Sequence, residues 1–491
     1  MARLALFHAR ALAFLLALTC LSALAGVGNA GPHSFCQELA NFGEAKTPAA
    51  LQAALKRTKL DYRSAPVFGP FDSPDKMIDI IASSPAMAEV RTLSFQWVRF
   101  SADSITRLGR SPHLSQIRNL SFYDELPTES VLAALSDISV FPSLARLEIL
   151  KLGADPHPRE TGRQIDALAP AFASLVASGR LQVLGFTLDQ TSAALLDGIS
   201  AAKRQFPLLV QIGNTADIPA KTLKNIASLD PGGIHFKVEA RSCAELARLD
   251  RTGFLRRVTD LSVECGDTGA RLLARSRNLA SLTHLRIFAC GTDETKMTVA
   301  SARALATLSQ FPNVRHLALL NDYEQCQEPG IGAKGLEILL GSSLAGQLET
   351  LVLREQGLGE KGVRALVLTD KLSALRRLQI AGEHLPAKEA RSLVRGAPLS
   401  ETLEELSLAG IDEDGGVTLD EPAALAIAGS LDMPKLRFLD LSLNQFSGNA
   451  VSRLRRAPWI VRLEVFKLGD GDLEAEKPAS WSCEDELLPS P

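Results

Sequence analysis

One apolar spacing recurs along this chain and constrains its fold more than any other feature. In the stretch LRFLDL that begins at Leu436, apolar residues stand at offsets 0, 3 and 5. The copies are Val90, Leu93, Phe95; Ile117, Leu120, Phe122; Leu144, Leu147, Ile149; Leu181, Leu184, Phe186; Leu209, Ile212; Ile234, Phe236, Val238; Val258, Leu261, Val263; Leu282, Leu285, Ile287; Val314, Leu317, Leu319; Leu348, Leu351, Leu353; Leu375, Leu378, Ile380; Leu403, Leu406, Leu408; Leu436, Leu439, Leu441; and Ile460, Leu463, Val465. The fifth copy is weak, and the sixth lacks its first apolar residue. Copies that start about 28 residues apart indicate a repeat protein.

The spacing has a direct physical meaning. Offsets 0, 3 and 5 point into one core, and a single repeat cannot bury that face, so neighbouring repeats must stack. We therefore expect one strand per repeat, with successive strands parallel and about 4.8 Å apart. The residues between the strands return along the outside as helices or turns.

With these residues in place, the chain resembles the leucine-rich repeat family, whose pattern is L-x-x-L-x-L-x-x-N/C-x-L. Residues 266–274, 330–340 and 357–366 resemble the glycine turn and helix of its ribonuclease-inhibitor-like class. The asparagine position departs from the pattern, because Asn444 is the only asparagine in place and Cys265, Cys290 and Asn321 come within one residue of it. The resemblance implies an α/β leucine-rich repeat solenoid, a horseshoe with a parallel β-sheet on its concave face and helices or turns on its convex face.

The repeats predict the domain organisation. Residues 1–30 have a basic start, an apolar run and small-residue cleavage positions, which is typical of a secretory signal peptide. Residues 31–89 contain two helical patterns, Ala49 to Leu60 and Pro74 to Ala88, and are expected to form an N-terminal helical cap. The solenoid of about fourteen repeats spans 90–468, and 469–491 form an acidic tail rich in Pro and Ser.

Composition limits the partners. The chain is 46% hydrophobic and 22% charged, with a formal net charge of -3, so it lacks the basic excess that nucleic-acid binding requires. After removal of the signal peptide, no stretch is apolar enough to span a membrane. The expected compartment is the periplasm, the cell surface or the exterior. The sequence leaves the oligomeric state open.

The sequence lacks three common motifs of catalytic and phosphate-binding sites. No G-x-S-x-G, H-E-x-x-H or G-x-x-x-x-G-K-[ST] pattern occurs, so we expect neither an enzyme nor a cofactor. Cys265 and Cys290 follow neighbouring strands at similar offsets. They are expected to be either two buried thiols or a disulfide between stacked positions.

Alternate residues of each strand should face the concave side. Offset 2 of the successive copies gives Thr92, Asn119, Arg146, Val183, Gln211, His235, Asp260, His284, His316, Thr350, Arg377, Glu405, Phe438 and Arg462. His235, Asp260, His284 and His316 are consecutive, and Lys237, Glu264 and Arg286 lie beside them. Three interpretations stay open for this row: a solvated inner face, a pH-sensitive partner contact, or a metal site. We commit to no metal.

Aromatic residues on the same face are candidate anchors for a protein partner, and they include Tyr123, Phe288 and Phe438. Phe466 is expected to pack locally near the C-terminal end. The function favoured by the resemblance is non-catalytic recognition of a protein ligand through the concave face. The alternatives are a self-associating scaffold of the cell envelope and an unrecognised enzyme or metal-binding protein.

Overall fold

Nearly every apolar triplet coincides with a β-strand in the computed structural model of this chain. The structure describes residues 38–42, 45–60, 64–71, 73–123, 125–150, 158–186, 193–201, 208–212, 215–216, 218–228, 233–289, 295–307, 312–321, 330–411, 418–468 and 471–473. The described residues divide into two compact units, one ending at Glu239 and the other beginning at Ala240.

The first unit is an array of alternating strands and helices. Its strands are β1 (Glu38–Asn41), β2 (Ser64–Phe68), β3 (Thr92–Gln96), β4 (Asn119–Tyr123), β5 (Arg146–Leu150), β6 (Val183–Phe186), β7 (Leu208–Ile212) and β8 (Ile234–Ala240). Its helices are α1 (Pro48–Arg57), α2 (Pro74–Ser83), α3 (Ala102–Gly109), α4 (Glu129–Ser136), α5 (Pro158–Ala177), α6 (Ala193–Ala201) and α7 (Ala220–Ser228). Each strand from β1 to β7 pairs in parallel with the next one in the chain.

The second unit repeats the same plan. Its strands are β9 (Val258–Glu264), β10 (His284–Ala289), β11 (His316–Asn321), β12 (Thr350–Arg354), β13 (Arg377–Ala381), β14 (Glu405–Ser407), β15 (Phe438–Asp440), β16 (Val465–Leu468) and β17 (Gly471–Leu473). Its helices are α8 (Cys243–Arg251), α9 (Gly266–Arg275), α10 (Val299–Ala306), α11 (Gly332–Leu340), α12 (Gly359–Leu368), α13 (Ala387–Val394), α14 (Glu421–Ser430) and α15 (Gly448–Arg455). Strands β9 to β16 are parallel in chain order, and β17 returns antiparallel along β16.

The triplets form the core of each unit. Leu120, Leu285 and Leu406 are all 1% exposed or less, and in the register the middle leucines of successive triplets face one another. Each such side chain contributes about 1.5–3 kcal/mol on burial. The chain therefore has the predicted α/β leucine-rich repeat solenoid fold.

The predicted N-terminal cap contains strands as well as helices. Both helical segments are present as α1 and α2, and strands β1 and β2 precede them and extend the sheet from β3. Strand β2, with the sequence SAPVF, lacks the triplet pattern because Pro66 stands where the triplet has its middle leucine. The predicted signal peptide lies outside the described residues, as does the predicted tail apart from residues 471–473.

Side-chain amides at the asparagine position tie neighbouring repeats together. Asn444 donates from Nδ2 to the carbonyl of Leu408 at 2.7 Å, and its Oδ1 accepts from the backbone nitrogens of Thr418 and Leu419. Gln356 occupies the same place in its own repeat and donates from Nε2 to the carbonyl of Leu319 at 3.2 Å. This position requires one group that both donates and accepts.

Glu383 occupies that position in the repeat that follows the one of Gln356. Its Oε2 accepts from the backbone nitrogen of Leu358 at 2.8 Å, whereas its Oε1 is buried with no hydrogen-bond partner among the described residues. Burial raises the pKa of Glu383 to about 7, although backbone N–H groups of residues 356–358 act in the opposite direction. A protonated carboxyl can donate as the amides do, so the neutral form suits this site.

Replacing Glu383 by Gln should remove a pH-dependent loss of stability. The folded state holds the proton more tightly than the unfolded chain, so the free energy of unfolding falls as the pH rises from about 4.5 to 7. At pH 8 we expect E383Q to be about 1–3 kcal/mol more stable than the wild type in urea unfolding. The exposed E360Q is the control; equal pH dependence in E383Q and the wild type contradicts this account.

The disulfide differs from the prediction. Cys265, fully buried at the start of α9, is bonded to Cys243 at the start of α8, with the two Cα atoms 5.3 Å apart. Cys265 is therefore neither a buried thiol nor the partner of Cys290, the two alternatives that were expected, and Cys290 lies outside the described residues. Both pairings join neighbouring repeats. The similar offsets after two strands indicated Cys290 as the partner of Cys265, because Cys243 lies in the return segment and not at a strand end.

Peptide mapping of the unreduced protein should recover a Cys243–Cys265 cross-link. Because the bond closes a loop of 22 residues, its removal in C243S/C265S should lower the free energy of unfolding by about 3 kcal/mol. A Cys265–Cys290 peptide, or free thiols at both Cys243 and Cys265, contradicts the assignment.

Candidate functional site

The sheet face opposite the triplets carries rows of polar and aromatic side chains in each unit. Because side chains alternate along a strand, the register that stacks the triplets also aligns the residues between them. In the first unit, one row reads Thr92, Asn119, Arg146, Val183, Leu209, His235. In the second unit, the corresponding row reads Asp260, His284, His316, Thr350, Arg377, Glu405, Phe438, Val465.

The register corrects two predicted members of the row. Leu209 and Val465 stand where Gln211 and Arg462 were expected, so the fifth copy is shifted by two residues and the last copy by three. The shift turns Phe466 into the core, where it is 1% exposed and packs edge-on against Trp459. His235 lies in the row as predicted.

A charged network crosses three strands of the first unit. Arg146 bonds Glu148 at 2.8 Å on its own strand and reaches Gln211 on β7 at 3.3 Å. It passes over β6 at Gly185, where an added Cβ would lie 3.1 Å from Glu148 Cγ. The missing side chain at Gly185 leaves room for this network.

Electrostatics hold Glu148 in its charged form. Burial alone would raise the pKa of Glu148, but the Arg146 guanidinium, the Ser121 hydroxyl and the Lys237 ammonium together lower it. The predicted site residue Lys237 is buried and stands beside Gln211 in the register. His235 is half-buried on the same strand.

A buried ion pair lies on the face of the second unit. Arg286 donates from Nη2 to both carboxylate oxygens of Asp260, at 2.8 and 2.7 Å. Both side chains are less than 8% exposed. Both carboxylate oxygens of Asp260 thus accept from Arg286. Breaking a buried pair by removing one partner generally costs about 3–5 kcal/mol.

The two predicted histidines form a stacked pair. The rings of His284 and His316 lie 3.8 Å apart between centroids and 5° from parallel. Thr283 donates its hydroxyl hydrogen to Thr259, so its oxygen accepts from Nδ1 of His284 at 2.8 Å. Each ring is thus fixed by a threonine as well as by its neighbour.

A chain of hydrogen bonds continues from His316. Arg377 donates from Nε to the Thr350 hydroxyl oxygen at 2.9 Å, and that hydroxyl lies 2.9 Å from His316 Nδ1. Burial lowers the pKa of Arg377 and raises the pKa of its neighbour Glu405. Arg377 and Thr350 belong to the predicted row, but nothing in the sequence indicates which members of a row bond one another.

His316 stays neutral at physiological pH. Burial lowers the pKa of His316 to about 2, with further lowering from His284, Arg377 and Arg286 against a smaller opposing effect of Asp260. The charge of His316 therefore does not change between pH 5.5 and 7.5. This argues against His316 as the titrating group of a pH-sensitive contact.

The remaining predicted residues lie at strand ends or edges of the face. Tyr123 ends β4 and is half-buried, and Glu264 on β9 stands opposite Phe288 on β10 in the register. Phe288 packs against an apolar cluster of Ala318, Leu320 and Val352. Phe438 is half-buried beside Glu405. The predicted residues are thus divided between two surfaces, with His235, Lys237 and Tyr123 in the first unit.

Acid should destabilise the wild type through His316. The unfolded histidine takes up a proton below pH 6.5 and the folded one does not, so this contribution to stability is lost as the pH falls. Between pH 7.5 and 5.5 we expect H316Q to gain about 1.4 kcal/mol relative to the wild type in denaturant unfolding. H384Q, at an exposed histidine, is the control, and parallel curves for the wild type and H316Q contradict the expectation.

Within the described ranges, no group of three or more His, Cys, Asp or Glu side chains is arranged to hold a metal ion. In the same part of the chain, no helix has both the length and the apolar character needed to cross a bilayer.

Comparison with known proteins adds little to this description. No family model and no curated protein matches the chain. A similar solved structure is the complex of Rad7 and Elc1 from yeast, with 14% identity over 75% of this chain and 83% of that one and a TM-score of 0.41. A likeness that weak carries no argument. The repeating strands and helices, together with the side-chain amides at the asparagine position, identify the chain as a leucine-rich-repeat-like solenoid.

Proposed function

We propose that this chain is an exported, non-catalytic recognition protein that binds a protein partner through the sheet face opposite its helices. The observation that carries the proposal is the fixed polar surface on that face. The stacked His284 and His316, the Asp260–Arg286 pair and the Arg146 network are all held by neighbouring strands. A surface ordered before binding loses less entropy when it associates.

Two charge pairs of this face, Asp260 with Arg286 and Glu148 with Arg146, are formed within the protein. Their role in binding would be to orient a partner and set its association rate more than to supply affinity. Affinity would come from large, partly exposed groups such as Phe438 and Arg354.

Export is supported by two features. The N-terminal 30 residues have the composition of a signal peptide. The Cys243–Cys265 disulfide is the kind of bond that persists in oxidising compartments. The proposed destinations are the periplasm, the cell surface and the exterior.

A scaffold built by stacking copies edge to edge is less favoured. The first and last strands, β1 and β17, are only four and three residues long. Such short edge strands disfavour stacking of copies edge to edge.

The proposal is tested by affinity capture from the source organism with the mature chain at pH 5.5 and 7.5. The bait R354E/F438A alters the sheet face, and R364E/L368A makes the same kinds of change on α12, where Arg364 and Leu368 are exposed. We expect a specific protein partner whose recovery falls at least about tenfold with R354E/F438A only. Equal recovery with both baits, or a loss confined to the helix variant, contradicts the proposal.

A further inference from the structure

An exposed tryptophan stands in a strained backbone conformation directly after β3. Trp97 has a φ of 53° and is 44% exposed. Trp97 is the seventh residue after the first apolar residue of its triplet. Three other residues take a positive φ at the same place in their repeats: Glu355, Gly382 and Leu443. Glycine takes this conformation without strain, as Gly382 does, whereas a bulky side chain does not.

The turn that holds Trp97 is rigid. Its backbone N–H donates to the carbonyl of Tyr123 at 3.0 Å. Three residues further along the chain, Phe100 packs edge-on between Phe95 and Phe122, with ring centroids 4.8 and 5.6 Å away. The indole is therefore presented from a fixed base, although the position itself favours glycine.

A cationic side chain follows the tryptophan closely in the sequence. Arg99, two residues on, donates from Nε to Glu125 at 3.1 Å, and its side chain is 85% exposed. Its terminal nitrogens have no hydrogen-bond partner among the described residues. Glu125 thus orients the guanidinium and leaves the two outer nitrogens available for a second carboxylate.

An unpaired amide completes the surface. Nε2 of Gln96 is buried without a hydrogen-bond partner in the described part of the chain, and Gln96 stands opposite Tyr123 in the strand register. Buried donors are normally paired, so a group of this kind calls for an explanation. Rotation of its amide toward the surface would offer Nε2 to a carbonyl of an incoming chain.

We infer that Gln96, Trp97, Arg99 and Tyr123 form an anchor surface for an extended segment of a protein partner, one with an apolar side chain next to an acidic one. The apolar side chain packs on Trp97, the carboxylate bonds the outer nitrogens of Arg99, and a backbone carbonyl accepts from Gln96. Tryptophan, tyrosine and arginine are the residues that most often dominate protein interfaces. The inference rests on the proposed function, which it deepens by naming the partner's chemistry.

The probe is a linear dodecapeptide selected from a phage library on the full chain, then synthesised and titrated by calorimetry. We expect selected sequences to pair an apolar with an acidic residue, and W97G to bind at least about 30-fold more weakly than the wild type. Glycine is chosen because it keeps the turn. W97F should recover part of the affinity, and R99Q should lose about fivefold together with most of the salt dependence.

The matched control is L443G, which makes the same backbone relief at the equivalent position of another repeat. Its affinity for the peptide should stay within about twofold of the wild type. Circular dichroism and thermal melting of all variants identify any that fail to fold, and W97F keeps the test valid should W97G be one of them.

Other results overturn the inference. The inference is overturned if the selected peptides bind W97G as tightly as they bind the wild type. It is also overturned if an oligosaccharide mixture, and no peptide, changes the tryptophan fluorescence of the wild type but not that of W97F. If peptide binding is lost in R354E/F438A but kept in W97G, the anchor surface is wrong and the proposed function stands. If the captured partner is lost with W97G but kept with R354E/F438A, the anchor stands and the sheet-face proposal fails.

Discussion

The in-register stacking of apolar triplets on parallel strands is the constraint on which the rest of the structure depends. Leu285 is buried only because Leu261 and Leu317 stand beside it on the neighbouring strands. A repeat removed from its neighbours would expose that face, so stability is shared between adjacent repeats. The side-chain amides of Gln356 and Asn444 also join adjacent repeats, because each donates to a backbone carbonyl of the preceding repeat.

The polar surface is a consequence of that stacking. Once the triplets are in register, the residues between them are in register too, and side chains that are far apart in sequence become neighbours. His284 and His316 stack because Leu285 and Leu317 do. The Arg146 to Gln211 contact spans two strand spacings and needs Gly185 between them. Function, where it concerns this face, is therefore set by repeat register more than by any local motif.

The sequence predicts the parts of the fold that are periodic. Strong triplets such as that at Leu436 predict their strands, and the predicted offsets place Asp260, His284 and His316 in one row. Prediction fails where the periodic signal is weak. Strand β2 has a proline at its middle position, and the register of β7 is set by its neighbours rather than by its own two apolar residues.

The sequence does not predict which side chains bond one another, for a different reason. The bond between Asp260 and Arg286 depends on which rotamers fit across neighbouring strands, and the sequence does not specify those rotamers. The choice of Cys243 over Cys290 depends likewise on where the return segment lies. The left-handed turn at Trp97 carries no sequence signal, because glutamate and leucine take the same conformation elsewhere.

Strand register can be measured directly by engineered cross-linking. Gln379 and Ser407 are paired neighbours on β13 and β14, so Q379C/S407C should form a disulfide under mild oxidation, recovered by peptide mass spectrometry. Arg377 lies two residues out of register with Ser407, and R377C/S407C should not cross-link. A cross-link in the second variant and none in the first would contradict the stacked register, and with it the placement of every residue on the sheet face.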